Sequence, residues 1–166
     1  MSKFLILIFG ILLLAVSCRH VKEEVIVPDP ILNNVPAIAE KYLGMPYEWG
    51  GQSFWYEEDG TVDCSGLVVN VYKEACNGSG YRLLFEDSTS HDMHSKYTVE
   101  VSAPKAGDLI FMGEGGVVSH VAIFRRFVGD DVEFLDAYSV DGHVMIRTYG
   151  KGNLKIISYG RMLLSK

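Results

Sequence analysis

The sequence predicts an α+β domain, with helices in its first part and a mostly antiparallel sheet of about five or six strands in its second. Apolar residues between Leu67 and Ala75 recur at helical spacing. After Gly107 come five short segments rich in β-branched and aromatic residues, separated by Gly or Asp turns. The two kinds of segment follow one another without alternating, which argues against βαβ units and a parallel sheet. With 166 residues, 48% hydrophobic and 22% charged, the chain fits one ordinary globular domain plus a targeting segment.

Met1-Ser2-Lys3 carries one positive charge and precedes an apolar run from Phe4 to Val16. That run is too short for a comfortable membrane span, and residues 1–17 read as a signal peptide. It closes on Leu14-Ala15-Val16-Ser17-Cys18, which resembles the lipobox of bacterial lipoproteins, where the cysteine is acylated and becomes the new N-terminus. The resemblance implies lipidation of Cys18, with Ala15 standing in place of the usual leucine; ordinary secretion with an unmodified Cys18 is the alternative. Residues 18–32, charged and proline-containing, are expected to form a lipidated tether, and residues 33–166 the domain. Loss of residues 1–17 removes Lys3 alone from 15 basic residues set against 21 acidic ones, so the formal charge falls one unit below −6. Such an acidic chain is a poor fit to nucleic acid, whose phosphates need a basic surface.

Along the domain, Asn34 is expected to cap a helix with Pro36 early in it, Ile38, Ala39, Tyr42 and Leu43 on its buried face, and Gly44 at its end. Met45 to Gly51 is an aromatic-rich turn. The loop from Gln52 to Val62 holds Phe54, Trp55 and Tyr56 followed by Glu57, Glu58 and Asp59, which fits either a lip over a substrate groove or simple surface variation. The helix that follows buries Leu67, Val68, Val71, Tyr72 and Ala75 and leaves Asn70, Lys73 and Glu74 off that stripe. A polar stretch from Gly78 to Ser102 has room for one short helix around Ser90–Ser95. His91 and His94 lie three apart there, but no third ligand or zinc-protease glutamate accompanies them, so no metal is expected. Strands are expected at 108–112, 119–127, 132–137, 143–149 and 155–159.

Cys64 is the candidate nucleophile. It sits at the first turn of its helix, where unpaired N–H groups and the positive end of the helix dipole favour a thiolate. It is not expected to pair with Cys76, because twelve residues of helix separate them by about 18 Å, far beyond disulfide reach. Cys76 is expected to be a small buried apolar residue. A candidate base, His120, lies far along the chain in Ser119-His120-Val121-Ala122-Ile123, as suits partners that meet only in the fold.

Tyr47-x-Trp49-Gly50-Gly51, Asp63-Cys64-Ser65-Gly66-Leu67, Gly107-Asp108-Leu109-Ile110-Phe111 and the His120 run occur in the order and approximate spacing of the NlpC-type bacterial cell-wall endopeptidases. The chain resembles that family over about residues 36–164. The resemblance implies a papain-like fold with the cysteine helix packed on the sheet that carries the histidine. It also implies cysteine catalysis without a cofactor, and cleavage of peptidoglycan stem peptides, commonly between γ-D-glutamate and the following diamino acid. The protein would act as a monomer, exported and lipid-anchored to a bacterial membrane.

In that family a histidine usually orients the imidazole. Here Asp136, in Phe134-Leu135-Asp136-Ala137, occupies the corresponding place, and a carboxylate can serve the same physical role. His143, at the start of the next expected strand, is its rival. Tyr47, Asp63 and Ser65 match positions that shape the pocket for the short end of the stem peptide, where a free amine is often recognised. Asp63 has the further reading of a helix N-cap. Trp49 with Gly50-Gly51 reads as architectural. A wall amidase or acyltransferase on the same scaffold, and an inactive wall-binding lipoprotein, are the alternative functions.

Overall fold

The computed structural model describes residues 23–166; the expected signal peptide and Cys18 lie outside them. The elements are β1 (Glu24–Ile26), α1 (Asp29–Leu32), α2 (Val35–Glu40), α3 (Cys64–Cys76), β2 (Arg82–Leu83), α4 (Ser90–Lys96), β3 (Thr98–Glu100), β4 (Leu109–Glu114), β5 (Val117–Val128), β6 (Asp131–Tyr138), β7 (His143–Gly150) and β8 (Ile156–Ser165). All paired strands run antiparallel, in the order β1-β8-β4-β5-β6-β7, with β2 and β3 also pairing with β8. Helices followed by an antiparallel sheet is the predicted α+β class. The three short strands raise the strand number above the expected five or six, because two- and three-residue pairings have no alternation to read.

Alternation along the long strands divides the core in two. Leu109, Phe111, Val121, Ile123, Leu135 and Ala137 face the helices and join Leu67, Val68, Val71 and Tyr72 of α3. Ile110, Met112, Ala122, Phe124, Val132 and Phe134 form a second cluster on the opposite face. α3 is buried on more of its surface than the predicted stripe. Val69 and Asn70 are enclosed as well, and the Asn70 amide donates to the carbonyls of Gln52 and Ser53, both at 2.8 Å. A buried amide needs such partners, and these are backbone groups of the Gln52–Val62 loop.

Those bonds also decide where that loop goes. Instead of covering a groove, Trp55 donates its indole N–H to Glu74 at 3.1 Å and Lys41 lies over its ring. Phe54 stacks on Tyr56. The aromatic residues thus lie along the rear half of α3, away from Cys64.

A second correction concerns the start of the domain. The sequence predicts a tether up to residue 32, but Glu24–Ile26 pair with Leu163–Ser165 of β8, and Val27, Ile31 and Leu32 are buried in the helix-side core. The charged and proline-rich composition hid a short edge strand and one helical turn that opens with Pro at its N-terminus. Asn34 does stand at the N-cap of α2, yet its side chain makes no cap hydrogen bond.

The Gly107-Asp108 motif ties the halves together. Asp108 is buried and receives Arg161 of β8 through two bonds of 2.8 and 2.7 Å, and the Tyr72 hydroxyl of α3 donates to the Gly107 carbonyl at 2.8 Å. A side chain at Gly107 would lie 2.6 Å from the Leu32 carbonyl oxygen, so the turn also holds α1 in place. Leu32→Ala is expected to lower unfolding free energy by about 2–5 kcal/mol, measured by urea denaturation of residues 18–166. A change under about 0.5 kcal/mol would return this segment to a tether.

Candidate active site

Cys64 is the first residue of α3, and its position is set by Asp63. From the N-cap, the Asp63 carboxylate accepts the Gly66 N–H at 2.7 Å, the Ser65 hydroxyl at 2.9 Å and, across the chain, the Gly50 N–H at 3.0 Å. Gly51 returns the contact, its carbonyl accepting the Asp63 N–H at 2.9 Å. The approach is so close that a Cβ on Gly66 would fall 2.1 Å from the Gly51 oxygen. The Trp49-Gly50-Gly51 turn and the Asp63–Gly66 segment are therefore two sides of one backbone contact that presents Cys64.

His120 approaches from β5. Its Nε2 is 2.5 Å from Asp136 Oδ2 on β6, and the Cys64 sulfur is its other neighbour. With Nε2 engaged by the carboxylate, Nδ1 is the ring nitrogen left for the thiol. Burial works against the charged ring, but the bond to the Asp136 carboxylate and the nearby Cys64 thiol outweigh it and raise its pKa from 6.5 to about 9. The edge of the ring also meets Tyr138, with centroids 5.5 Å apart.

Asp136 is completely enclosed and takes a second cation, Arg147 of β7, whose Nε donates to Oδ1 at 3.0 Å while Nη2 donates to Oδ2. The guanidinium lies 4.0 Å over the Tyr138 ring and also donates to the Tyr149 hydroxyl at 3.3 Å. Burial opposes the charge of Arg147, and the Asp136 carboxylate outweighs that and raises its pKa. Arg147 was not among the residues singled out from the sequence. The available signal was an arginine directly after apolar Val144-Met145-Ile146, in the strand that follows an acid embedded in apolar Phe134-Leu135.

The remaining expected residues separate cleanly. Ser65 and Asp63 line the cavity beside Cys64. Tyr47 is half-buried; burial, then the nearby Cys64 and Asp63, push its hydroxyl pKa up. His143 makes no hydrogen bond with His120: it is exposed and its Nδ1 bonds the Asp141 carbonyl at 2.7 Å. Trp49, read as architectural, is 85% exposed and stands at the rim of the Cys64 cavity. Cys64 and Cys76 are both unpaired thiols, and burial raises Cys76 to about 11, as suits an inert core residue.

A cysteine at the head of a buried helix, facing a histidine on an antiparallel sheet, defines the papain-like class of α+β folds. The NlpC/P60 family profile matches residues 44–157, and the chain belongs to that family. It is 36% identical over 89 residues to a "Probable endopeptidase p60" of Listeria monocytogenes, covering 53% of this chain and 16% of that protein. It is 39% identical over 61 residues to a "Gamma-DL-glutamyl hydrolase" of Bacillus subtilis, covering 36% of this chain and 14% of that one. The chain thus spans less than one fifth of the length of these curated relatives. A lipoprotein-like NLP/P60 family protein from Staphylococcus aureus superposes with a TM-score of 0.57 at 28% identity, over 83% of this chain and 43% of that one.

Arg147→Met leaves the Asp136 charge buried with one cation fewer, and is expected to cost about 3–5 kcal/mol of stability, read by chemical denaturation at pH 7. A loss under 1 kcal/mol would show that His120 alone satisfies the carboxylate. His120 makes a separate contribution to stability that depends on pH. Its pKa is higher folded than unfolded, so the stabilisation is whole below pH 6.5 and disappears as pH rises through about 9. The denaturation midpoint should accordingly fall between pH 7 and pH 10 by more in the wild type than in His120→Gln; parallel profiles would contradict the shift.

Proposed function

We propose that the protein is an exported peptidoglycan hydrolase, a cysteine endopeptidase that cuts stem peptides between γ-D-glutamate and the following diamino acid. The observation that carries this reading is His120 bonded to the buried Asp136 carboxylate with the Cys64 thiol beside it. A ring kept protonated to about pH 9 is an acid ready for a leaving amine and a counter-charge for a thiolate. Membership of the NlpC/P60 family supports the wall substrate, and the similarity to a gamma-DL-glutamyl hydrolase of Bacillus subtilis supports the γ-glutamyl bond.

In the proposed mechanism the Cys64 thiolate adds to the scissile carbonyl and its oxygen gains the negative charge. The Gly66 and Leu67 N–H groups are already bound to Asp63, so the donors for the oxyanion are the N–H groups of Cys64 and Ser65, which have no acceptor within the helix. The C–N bond then breaks as His120 gives its proton to the departing amine, leaving a thioester on Cys64. Water, deprotonated by His120, hydrolyses the thioester and restores the thiol and the ring. Asp136 keeps the imidazole oriented and stabilises its charged form. Tyr47, Asp63 and Ser65 form the wall of the acyl-side pocket, where the Asp63 carboxylate suits a substrate ammonium.

We also propose that residues 1–17 are a signal peptide and that Cys18 carries the lipid anchor. With β1 starting at Glu24, only Arg19 to Glu23 separate that anchor from the fold, a reach of roughly 20 Å. The domain would then work close to the membrane face. Release of the protein from the membrane fraction by Cys18→Ala, with loss of the acyl mass on its N-terminal peptide, is the expected result; retention with no acyl mass in the wild type would remove the anchor.

Digestion of defined muropeptides by residues 18–166 tests the activity, with products identified by mass. The expected product retains γ-D-glutamate as its new C-terminus, and Cys64→Ala and His120→Ala should each lower turnover at least 10³-fold, an order of magnitude set by the loss of a nucleophile or its base. Asp136→Ala should lower it about 10–10⁴-fold. Release of an intact stem peptide from the sugar would identify an amidase instead.

A further inference from the structure

We propose that Arg147 is a positioning residue for catalysis: it fixes the plane of the Asp136 carboxylate, and through it the direction of the His120 imidazole, while its charge keeps the imidazolium able to give up its proton. This rests on the hydrolase reading above and adds a residue that acts on the same site through Asp136.

Side chains from three neighbouring strands close into a ring of contacts. His120 of β5 bonds Asp136 of β6 through Nε2 and Oδ2 at 2.5 Å. Arg147 of β7 grips both carboxylate oxygens, with Nε on Oδ1 at 3.0 Å and Nη2 on the same Oδ2 that receives His120. The guanidinium lies 4.0 Å over the Tyr138 ring. Tyr138 leads back to His120, its ring meeting the imidazole at 68° with centroids 5.5 Å apart. On its other side the guanidinium is held by the Tyr149 hydroxyl, 3.3 Å from Nη1. Arg147 is thus fixed in place by two aromatic residues and has both carboxylate oxygens within its fork.

A carboxylate held by a single bond can turn about its Cβ–Cγ axis, because that torsion has a broad, two-fold minimum. Its turning would swing the imidazole and carry Nδ1 off Cys64. A planar fork on both oxygens removes that freedom, which a lysine ammonium, a point charge, does not. The charge acts separately from the geometry. Two cations share Oδ2, so the hold of the carboxylate on the imidazole proton is divided between them. A carboxylate facing His120 alone would bind that proton more tightly, and it is the proton the leaving amine must take. The other titratable groups around the ring are Cys64 of α3, Tyr138 of β6, Tyr149 of β7 and, among residues lining the shared cavity, Glu114 of β4 and Lys155. Asp141 stands 4.0 Å from Arg147, and Asp92 of α4 is paired with Lys96. Among the described residues, only Arg147 joins His120 in bonding the Asp136 side chain.

The test compares pH profiles of stem-peptide cleavage by the wild type, Arg147→Lys and Arg147→Gln. Arg147→Lys keeps the charge and loses the fork, so kcat should fall about ten-fold or more at unchanged KM. The alkaline limb of its kcat/KM, set by His120 losing its proton at about pH 9, should stay within about 0.3 pH of the wild type. Arg147→Gln loses the charge as well, so His120 keeps its proton longer and the limb should move up by about one pH unit. Wild-type kcat in Arg147→Lys, a raised KM with kcat unchanged, or an unmoved limb in Arg147→Gln overturns the assignment; if Arg147→Gln does not fold, Arg147→Lys decides alone. NMR titration of the His120 ring in Cys64→Ala needs no turnover and separates this inference from the hydrolase reading. Its midpoint should rise by about one pH unit when Arg147→Gln is added and hold when Arg147→Lys is added. If no stem peptide is cleaved but the midpoints behave this way, the hydrolase reading fails and the action of Arg147 on His120 stands. Equal midpoints in Cys64→Ala and in both double variants overturn it.

Discussion

A carboxylate with no solvent exposure sits at the centre of this structure. Asp136 can remain charged there only with donors on every side, since an unpaired buried charge costs several kcal/mol. His120 of β5 and Arg147 of β7 supply them from the strands on either side of β6. That requirement locks three strands in one register and holds the imidazole at the strand end, where it meets Cys64. The same pairing keeps His120 cationic well above neutral pH, so a structural demand and a chemical one are met by the same contacts.

Cys64 is fixed by an equally local device on the helical side. Asp63 caps α3, grips the Gly50 turn and orders Ser65 in a single set of bonds. The contact of Gly51 with Gly66 admits no side chain between them. Cys64 and His120 thus belong to two separately braced pieces, and their meeting depends on how α3 docks on the sheet. That docking runs through Tyr72 and the Gly107 turn to Asp108, and from Asp108 to Arg161 of β8. The motif Gly107-Asp108-Leu109-Ile110-Phe111, which carries no chemistry of its own, is the link between the pieces.

Two segments changed meaning once packed. Residues 24–32 look like a solvated linker by composition, yet they close the sheet against β8 and fill the core near Gly107. The aromatic loop from Gln52 looks like a lid, yet the buried Asn70 amide draws it along α3. Trp49 takes the rim position instead. In each case the deciding partner was a single buried polar or backbone group far away in sequence.

Sequence alone determined the class, the order of helices before strands, the five long strands to within a few residues at most ends, and the cysteine at the head of α3. These follow from periodicity and local turn chemistry, which act over a few residues. The face on which Asp136 lies was decided only in three dimensions. The β5–β6 hairpin begins by pairing Phe127 with Val132 and Arg126 with Glu133, a register that would set Asp136 beside Ile123, turned away from His120. A bulge at Arg125 shifts the pairing to Phe124 with Phe134 and Ile123 with Leu135, and one residue of slip moves every later side chain to the opposite face. Arg125 is held in place by Glu40 of α2 and Glu133 of β6, contacts that exist only in the assembled fold. The string Phe134-Leu135-Asp136-Ala137 shows an acid in a strand; a bulge eleven residues earlier turns that acid toward the imidazole.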